Sequence, residues 1–248
     1  MTNLAKRFTL ILLAFFTIIP ITHAQEPNWT SYDALLKRHL TTKTHQGITL
    51  KWLDYPAVKQ DPIFAEIVTT LQNHPLDNFT TQKQKIAFYI NAYNIFAIKM
   101  VLDHWPVESI KDAGSWFNSV WKKQIGTLDG APITLDEIEH KILRPMKEPR
   151  IHMAIVCASL SCPDLRNEAY TADKLDHQLN DQTQQFLTNA SKGLIVQQNK
   201  LTLSKIFDWF ETDFSDTIAF IRQYRPDIPA NATIDGYMDY NWSLNGAR

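Results

Sequence analysis

The stretch QKIAFYINAYNIFAIKMVLDHW, residues 84–105, predicts the most apolar helix of the chain and therefore the centre of its fold. Apolar side chains surround this helix nearly all the way round, which is typical of a helix buried in a core. Asn91 and Asn94 interrupt them, three residues apart on one face. Because a buried amide without a partner is costly, we expect both to hydrogen-bond neighbouring loop backbone; the alternative is that they point into a site.

Shorter predicted elements flank this helix on both sides. Thr134 and Glu137 have the T-x-x-E spacing of a capping box, and Asp129-Gly130 and Gln198-Asn199 are predicted turns. The predicted helices are residues 31–40, 61–74, 134–144, 171–189, 205–214 and 215–224, and the predicted strands are residues 47–55, 150–159 and the hairpin 193–204. These elements predict an α+β fold for residues 25–248, a single helix-rich domain with a small, mostly antiparallel sheet. The aromatic-rich tail is expected to dock on the core.

Residues 1–24 have the pattern of a secretory signal peptide. Lys6 and Arg7 precede an apolar run over residues 8–21, and small residues close the segment. The run is too short for a stable membrane span, and no later stretch predicts the ~20 apolar residues that a membrane helix needs. The sequence therefore predicts an exported, soluble protein without a membrane span, in a bacterial periplasm.

Charge and motif content argue against several classes of function. The formal net charge is −1, and residues 1–24 contain two basic and no acidic residues, so the exported chain is more acidic still. Nucleic-acid binding needs a basic surface. Seven dispersed glycines form no phosphate-binding loop, and no H-E-x-x-H metal motif occurs. No cofactor, metal or nucleic acid is predicted; an unknown peptide or small molecule is the expected ligand, and the oligomeric state stays open.

The only two cysteines of the chain, Cys157 and Cys162, lie in AIVCASLSCPDLR, residues 154–166. In an exported protein an isolated pair is more often a disulfide than not, so one hypothesis is a structural Cys157–Cys162 clip. The C-x4-C spacing does not match the C-x-x-C of thioredoxin-type pairs. The other hypothesis is that Cys157, which follows a predicted strand and enters a loop of small residues, is a nucleophile.

A thiol nucleophile needs a base, and two histidines are candidates. His152 lies five residues before Cys157, but strand alternation places the two side chains on opposite faces. A direct pair would require the strand to end or bulge before Cys157. His140 is the alternative base. Glu139 is not expected to orient it, because adjacent helix residues do not share a face.

Five motifs, taken in order over residues 80–245, resemble one known family. They are YINAYNIFAIKMVL, LDEIEHKILR, RIHMAIVCASLSCPDLR, LSKIFDWFETDF and DYNWSLN. In this order and spacing they resemble the domain of unknown function 547 family. The resemblance implies these motif positions: Asn91, Asn94, Glu139, Arg144, His152, Cys157, Cys162, Pro163, Asp239, Trp242 and Asn245. Asn241 stands where the pattern suggests an acidic residue.

This family carries no established activity that could be transferred. It is similar at the level of fold to papain-like and transglutaminase-like thiol proteins, which is an analogy. The analogy implies that Cys157 lies at a helix N-terminus, where the dipole lowers its pKa, and acts as the nucleophile. His152 or His140 would then be the base. Asn91 or Glu139 would orient it.

Two functions are therefore predicted. The first is a binding module in which Cys157–Cys162 is a structural clip and polar residues line a groove. Those residues would be Asn91, Asn94, Arg144, Asp239 and Asn245. The second is a thiol hydrolase or acyltransferase acting on peptide or amide bonds. Its catalytic residues would be Cys157, His152, Glu139 and His140. Strand alternation favours the first function, and the clustering of histidine, cysteine, glutamate and asparagine in the motifs favours the second.

Overall fold

The computed structural model describes residues 26–115 and 119–247, and these form an α+β fold, as the sequence predicts. The helices are α1 (Thr30–His39), α2 (Tyr55–Gln60), α3 (Ile63–Gln72), α4 (Gln82–Asp103), α5 (Leu175–Thr188), α6 (Ile206–Trp209) and α7 (Thr217–Tyr224). A π-helix spans Glu137–Leu143, and short 3-10 helices span Leu76–Asn78, Ile110–Ala113, Val120–Lys122, Arg144–Met146, Pro149–Met153 and Glu211–Asp213. The predicted signal peptide lies outside the described residues.

The strands form three small sheets instead of one. They are β1 (Leu40–His45), β2 (Ile48–Leu53), β3 (Gln124–Leu128), β4 (Ala131–Thr134), β5 (Leu194–Gln197), β6 (Lys200–Leu203) and β7 (Thr233–Tyr237). The pairs β1–β2, β3–β4 and β5–β6 are antiparallel hairpins, and β7 joins β6 in parallel. The predicted turns at Asp129-Gly130 and Gln198-Asn199 are confirmed. Asp129 and Gly130 both have positive φ, at 49° and 76°, as a two-residue hairpin turn requires.

Helix α4 is the centre of the larger core, as its apolar surface predicts. A capping box of Thr81 and Gln84 begins it, and fifteen of its 22 residues are buried. Among the described residues α4 is the one helix long and apolar enough to cross a membrane, but 83% of its most apolar window is buried by the rest of the chain. A core helix passes the same test of length and composition.

Asn91 and Asn94 bind loop backbone, as expected from their burial. The Asn91 amide donates to the carbonyl of Tyr170 (2.8 Å) and accepts from the Tyr170 N–H (2.9 Å). Asn94 donates to the carbonyl of Ala154 (3.0 Å) and accepts from the N–H of Val156 (2.8 Å). Each amide thus satisfies two buried backbone groups that no strand pairs. Together they attach two loops to the core helix.

The strand predicted over residues 150–159 is wrong. The chain instead forms the 3-10 helix Pro149–Met153 and continues as irregular backbone through Cys157. Proline at the first position and the Glu148 side chain, which accepts from the Arg150 N–H, favour this short helix. Asn94 replaces a neighbouring strand as the partner of the buried backbone that follows. The alternation that separated His152 from Cys157 therefore does not apply.

The aromatic-rich tail docks on the core, as predicted. Leu244 is 1% exposed and bridges to Ser159. Asn245 accepts at its carbonyl from the Leu53 N–H (3.2 Å) and donates its own N–H to Ala158 (3.1 Å). The tail therefore helps to fix residues 154–166, named here the thiol loop, which α4 also holds through Asn94.

Candidate functional site

A cleft of about 330 Å³ opens between the thiol loop, the π-helix and the tail. Six of its sixteen described lining residues are Phe, Trp or Tyr, and seven are titratable groups whose pKa values are shifted. The lining residues are Tyr93, Ser119, Trp121, Asp136, Glu139, His140, His152, Ile155, Cys157, Cys162, Pro163, Ile206, Trp209, Phe210, Tyr240 and Trp242. An apolar cleft with a few convergent polar groups of altered pKa is the usual form of an active or binding site.

The π-helix forms one wall of the cleft. The Thr134 hydroxyl accepts from the N–H of Glu137 (3.1 Å), which is half of the predicted capping box. The other half is absent, because the Glu137 carboxylate accepts from the Thr134 hydroxyl and not from the Thr134 N–H. Asp136, Glu139 and His140 then all line the cleft. Single π-helical turns occur often at functional sites, because they change which side chains share a face.

His152 and Asp213 form a hydrogen-bonded pair at the floor of the cleft. His152 Nε2 lies 2.8 Å from Asp213 Oδ2, and the imidazole is stacked on Phe210 at 4.1 Å between ring centroids. The His152 side chain is 1% exposed. Burial lowers its pKa to about 4, although the hydrogen bond to Asp213 opposes this. The imidazole is therefore neutral at pH 7 and can accept a proton at Nδ1, the nitrogen that Asp213 leaves free.

Arg144 fixes the carboxylate of that pair. Its guanidinium donates from Nε (2.6 Å) and Nη2 (2.9 Å) to the two oxygens of Asp213, in a bidentate geometry. The hydrogen bond from Arg144 is the main reason that the pKa of Asp213 falls to about 2, so this carboxylate stays ionised. Arg144 Nη1 also lies 3.1 Å from His140 Nδ1. Burial lowers the pKa of His140, so this imidazole is also neutral near pH 7.

Both cysteines are free thiols, so the predicted Cys157–Cys162 clip is absent. Cys157 Sγ contacts the hydroxyls of Tyr240 (3.1 Å) and Ser159 (3.3 Å). Cys162 Sγ accepts from the backbone N–H of Cys157 (2.8 Å). Ala158, which follows Cys157, has a φ of 57°, a left-handed conformation that is unusual without glycine and that occurs often at functional sites.

The two thiols have pKa values shifted in opposite directions. Burial raises the pKa of Cys157 well above its usual value, and the neighbouring Cys162 raises it further. Burial would also raise the pKa of Cys162, but hydrogen bonds from Cys157 and Tyr240 outweigh it and lower that pKa to about 7. The thiol of Cys157 is therefore protonated at rest. Cys157 also lies outside any helix, so the helix N-terminus implied by the papain-like analogy is not found at this residue.

Glu139 is a buried carboxyl group on the cleft wall. It is 7% exposed, and burial raises its pKa to about 7 although a hydrogen bond from Tyr93 opposes the shift. A carboxyl of this kind is partly protonated at neutral pH. No hydrogen bond joins Glu139 to His140 among the described residues. The two side chains share the cleft, but Glu139 does not orient His140.

The five residues predicted to line a groove are not among the described lining residues of the cleft. Asn91 and Asn94 bind the backbone of Tyr170 and Ala154, and Asp239 is exposed to solvent on the tail. Asn245 is buried, and its side-chain oxygen accepts from the hydroxyl of Tyr55 (2.8 Å). Arg144 contributes to the site indirectly, because it fixes Asp213. In residues 26–115 and 119–247, no three His, Cys, Asp or Glu side chains are grouped to hold a metal ion.

Two residues of the site are not apparent from the sequence pattern. Asp213 lies 61 positions after His152, in LSKIFDWFETDF, a motif in which aromatic residues dominate. Tyr240 looks like a packing residue of the tail, yet its hydroxyl contacts Cys157. No local signal in the sequence reveals either residue.

Comparison with known proteins gives one match. A family model described as "Protein of unknown function, DUF547" matches residues 76–187. No curated protein and no solved structure matches the chain. The matched segment contains Glu139, His152 and both cysteines, whereas Asp213 and Tyr240 lie beyond it.

Proposed function

We propose that this chain, whose residues 76–187 match the model of the DUF547 family of proteins of unknown function, is a thiol-dependent enzyme that transfers acyl groups from amide or ester bonds. One observation carries this proposal. A free thiol, Cys157, lies in the same cleft as a neutral imidazole, His152, which is hydrogen-bonded to an ionised carboxylate, Asp213. These are the three groups that thiol acyl transfer needs: a nucleophile, a base and a residue that orients the base.

The proposed step begins with attack of Cys157 Sγ on the carbonyl carbon of the substrate. The thiol proton passes to His152 Nδ1 as the sulfur–carbon bond forms. Asp213 stabilises the resulting imidazolium, because it is ionised and accepts from Nε2. His152 then gives the proton to the leaving amine or alkoxide, and a thioester remains on Cys157. Water or an amine attacks this thioester in the second half of the reaction.

Cys157 is the better nucleophile of the two thiols on grounds of access. It is partly exposed, whereas Cys162 is 3% exposed and accepts from the Cys157 backbone N–H. The high pKa of Cys157 means that its proton must be removed during attack, which requires a base. Tyr240 and Ser159 lie next to its sulfur and can donate to the oxyanion that develops on the substrate.

A non-catalytic binding cleft is the alternative, and one observation favours it. No hydrogen bond joins His152 to either sulfur among the described residues, and burial holds Cys157 in its protonated form. In this alternative the aromatic walls bind a peptide or small molecule and the buried polar groups shape the cleft. Catalytic hydrogen bonds are often long before substrate binds, so the geometry alone does not decide between the two.

Acylation by p-nitrophenyl acetate distinguishes the two functions. A reactive thiol takes the acetyl group and releases p-nitrophenolate, so the enzyme should give a burst of about one equivalent per chain. Cys157→Ala should abolish this burst. His152→Ala should slow it roughly 100-fold, because general-base catalysis typically contributes this much.

Cys162→Ala is the matched control for the cysteine variants and should retain the burst. Circular dichroism of each variant checks that the fold is intact. A wild-type protein without any burst, or a burst that Cys157→Ala leaves unchanged, would contradict the enzyme proposal. The first of these results would favour the binding cleft.

We also propose that the chain is exported after removal of residues 1–24, which rests on the sequence pattern alone. Expression of the full chain in a bacterium and N-terminal sequencing of the periplasmic protein test this. A mature protein that begins at Gln25 is the expected result. Intact residues 1–24 on a cytoplasmic protein would contradict it.

A further inference from the structure

The outer half of the cleft is built from stacked aromatic rings. Trp209 and Trp242 lie nearly parallel, 5.7 Å apart at 23°, and Tyr240 contacts both at 4.8 and 4.5 Å. Trp121 meets Trp242 edge-on at 5.5 Å. Trp209 is 43% exposed, although large apolar side chains are usually covered. All four rings line the cleft, and the faces of an aromatic ring carry its negative partial charge.

The charges on the cleft wall are carboxylates. Asp136 and Glu139 lie three residues apart on the same wall, and no lysine or arginine is among the described lining residues. His140 and His152 are neutral near pH 7, because burial lowers the pKa of each. The described lining groups that become charged near pH 7 are therefore anionic when ionised, and they include Glu139 and Cys162, whose pKa values are both about 7.

A cation of the chain already occupies the rim of this aromatic wall. Lys111 Nζ lies 3.6 Å from the centroid of the Trp242 ring, well within the ~6 Å range of a cation–π contact. Lys111 itself is not among the lining residues of the cleft. The electron-rich face of Trp242 thus binds an ammonium group, whereas among the described residues no cation contacts the ring of Trp209 or of Tyr240.

We propose that the cleft recognises an organic ammonium group on the substrate, held between the Trp209–Tyr240–Trp242 wall and the carboxylates of Asp136 and Glu139. This inference rests on the proposed function, because it places the cation beside the carbonyl that Cys157 attacks. Aromatic rings with nearby carboxylates favour cations over neutral and anionic groups. The substrate class is therefore an amide or ester of an amine-bearing acyl group.

Methanethiosulfonate reagents of different charge test this at Cys157 itself. The thiolate attacks the reagent's sulfur, a mixed disulfide forms and methanesulfinate leaves. The trimethylammonium-ethyl, sulfonatoethyl and neutral methyl reagents are compared by mass spectrometry of native protein. Each rate is divided by the rate of the same reagent with a small free thiol. After this normalisation, the cationic reagent should modify Cys157 roughly ten times faster than the anionic one. The aromatic rings and the carboxylates of the cleft attract its ammonium group.

Asp136→Asn should reduce this preference about threefold, because a partly exposed carboxylate contributes modestly. Asp103→Asn, an exposed position at the end of α4, makes the same change in net charge and should leave the preference unaltered.

Glu139 adds a pH dependence, since burial raises its pKa to about 7. The preference should therefore grow as the pH rises from 6 to 8. Glu139→Gln should reduce this growth, and Cys162, which also lines the cleft and has a pKa of about 7, accounts for the remainder. The groups that act on Glu139 are Tyr93, Cys162, Arg144 and Asp136.

A measurement without variants accompanies these. Tetramethylammonium chloride should slow modification of Cys157 by the neutral reagent, and sodium chloride at equal ionic strength should not. If the cationic reagent has no normalised advantage and tetramethylammonium gives no protection, the cation proposal is overturned while thiol chemistry stands. If the neutral reagent fails to modify Cys157 in the native protein, the proposed thiol function fails instead.

Discussion

Two groups of buried polar side chains, one bound to loop backbone and one lining the cleft, differ in how their hydrogen-bonding groups are used. On the core helix, Asn91 and Asn94 each bind two backbone groups, at 2.8 to 3.0 Å. In the cleft, Glu139, His152 and Cys157 have altered pKa values and keep part of their hydrogen-bonding capacity free.

This difference separates structural from chemical use of a buried polar group. An amide cannot change its protonation state, so its burial costs little once donor and acceptor are paired. A carboxyl, imidazole or thiol in the same surroundings changes its pKa instead, and the fold gains little stability from it. Substitutions of the backbone-binding asparagines should therefore lower the free energy of unfolding, whereas substitutions of the cleft residues should change its pH dependence or the reactivity of the site.

The largest effect should come from deleting residues 237–248, which removes a structural and a cleft residue together. Leu244 and Asn245 would be lost from the core and Tyr240 from the cleft. The free energy of unfolding should fall by at least about 5 kcal/mol, since a buried leucine and several buried hydrogen bonds are removed. Urea unfolding measures this. An unchanged midpoint would show that the tail is not part of the core, and Asp239→Ala, at an exposed position, should have almost no effect.

Asn94→Ala should affect stability on the structural side of the comparison. It leaves the carbonyl of Ala154 and the N–H of Val156 buried without partners, which should cost about 3 kcal/mol. Asn78→Ala, at an exposed asparagine, is the control and should stay within about 0.5 kcal/mol of the wild type. Chemical denaturation of both variants tests this. If Asn94→Ala and Asn78→Ala were equally stable, Asn94 would not have the structural role assigned to it.

Glu139→Gln should show the opposite behaviour on the cleft side. Burial raises the pKa of Glu139 from 4.5 to about 7, so its contribution to stability is full below about pH 4.5 and is lost as the pH rises through about 7. The variant lacks this loss. The difference in free energy of unfolding, variant minus wild type, should therefore rise by roughly 2–3 kcal/mol between pH 5 and pH 8.

Unfolding curves at four pH values across this range provide the measurement. Glu66→Gln, at an exposed position of α3, controls for the loss of a carboxyl group. Parallel pH profiles for the wild type and Glu139→Gln would mean that Glu139 is not held in its protonated form by the fold.

Cys157→Ala should have the smallest effect on stability. The side chain is partly exposed, and its contacts are with two hydroxyl groups, so the free energy of unfolding should change by less than about 1 kcal/mol. Reactivity toward acyl donors should be lost at the same time. A loss of several kcal/mol, as for Asn94→Ala, would instead make Cys157 a structural residue.

The sequence predicts the elements of this fold better than it predicts their arrangement around the cleft. The apolar run of α4 and the turns at Asp129-Gly130 and Gln198-Asn199 depend on local pattern and are confirmed. The backbone-binding role of Asn91 and Asn94 also follows from the cost of burying an unpaired amide.

The errors arise where distant residues decide the local structure. The apolar run before Cys157 has the pattern of a strand, but the Asn94 side chain supplies the partners that a strand would find in a sheet. The predicted disulfide rests on the usual behaviour of cysteine pairs, whereas here each sulfur is a free thiol that contacts hydrogen-bonding groups, the Tyr240 hydroxyl for Cys157 and the Cys157 N–H for Cys162. Asp213 reaches His152 only in three dimensions, so no spacing in the sequence predicts it.

The most direct test of the account is to locate the acyl group after a single turnover with p-nitrophenyl acetate. The wild-type protein is quenched in acid and digested, and fragmentation of the peptide that contains residues 151–166 assigns the added acetyl mass. The account predicts one acetyl group on Cys157, absent from Cys162 and formed far more slowly in His152→Ala. An unmodified Cys157 in a protein that folds normally would contradict it and leave the cleft as a binding site.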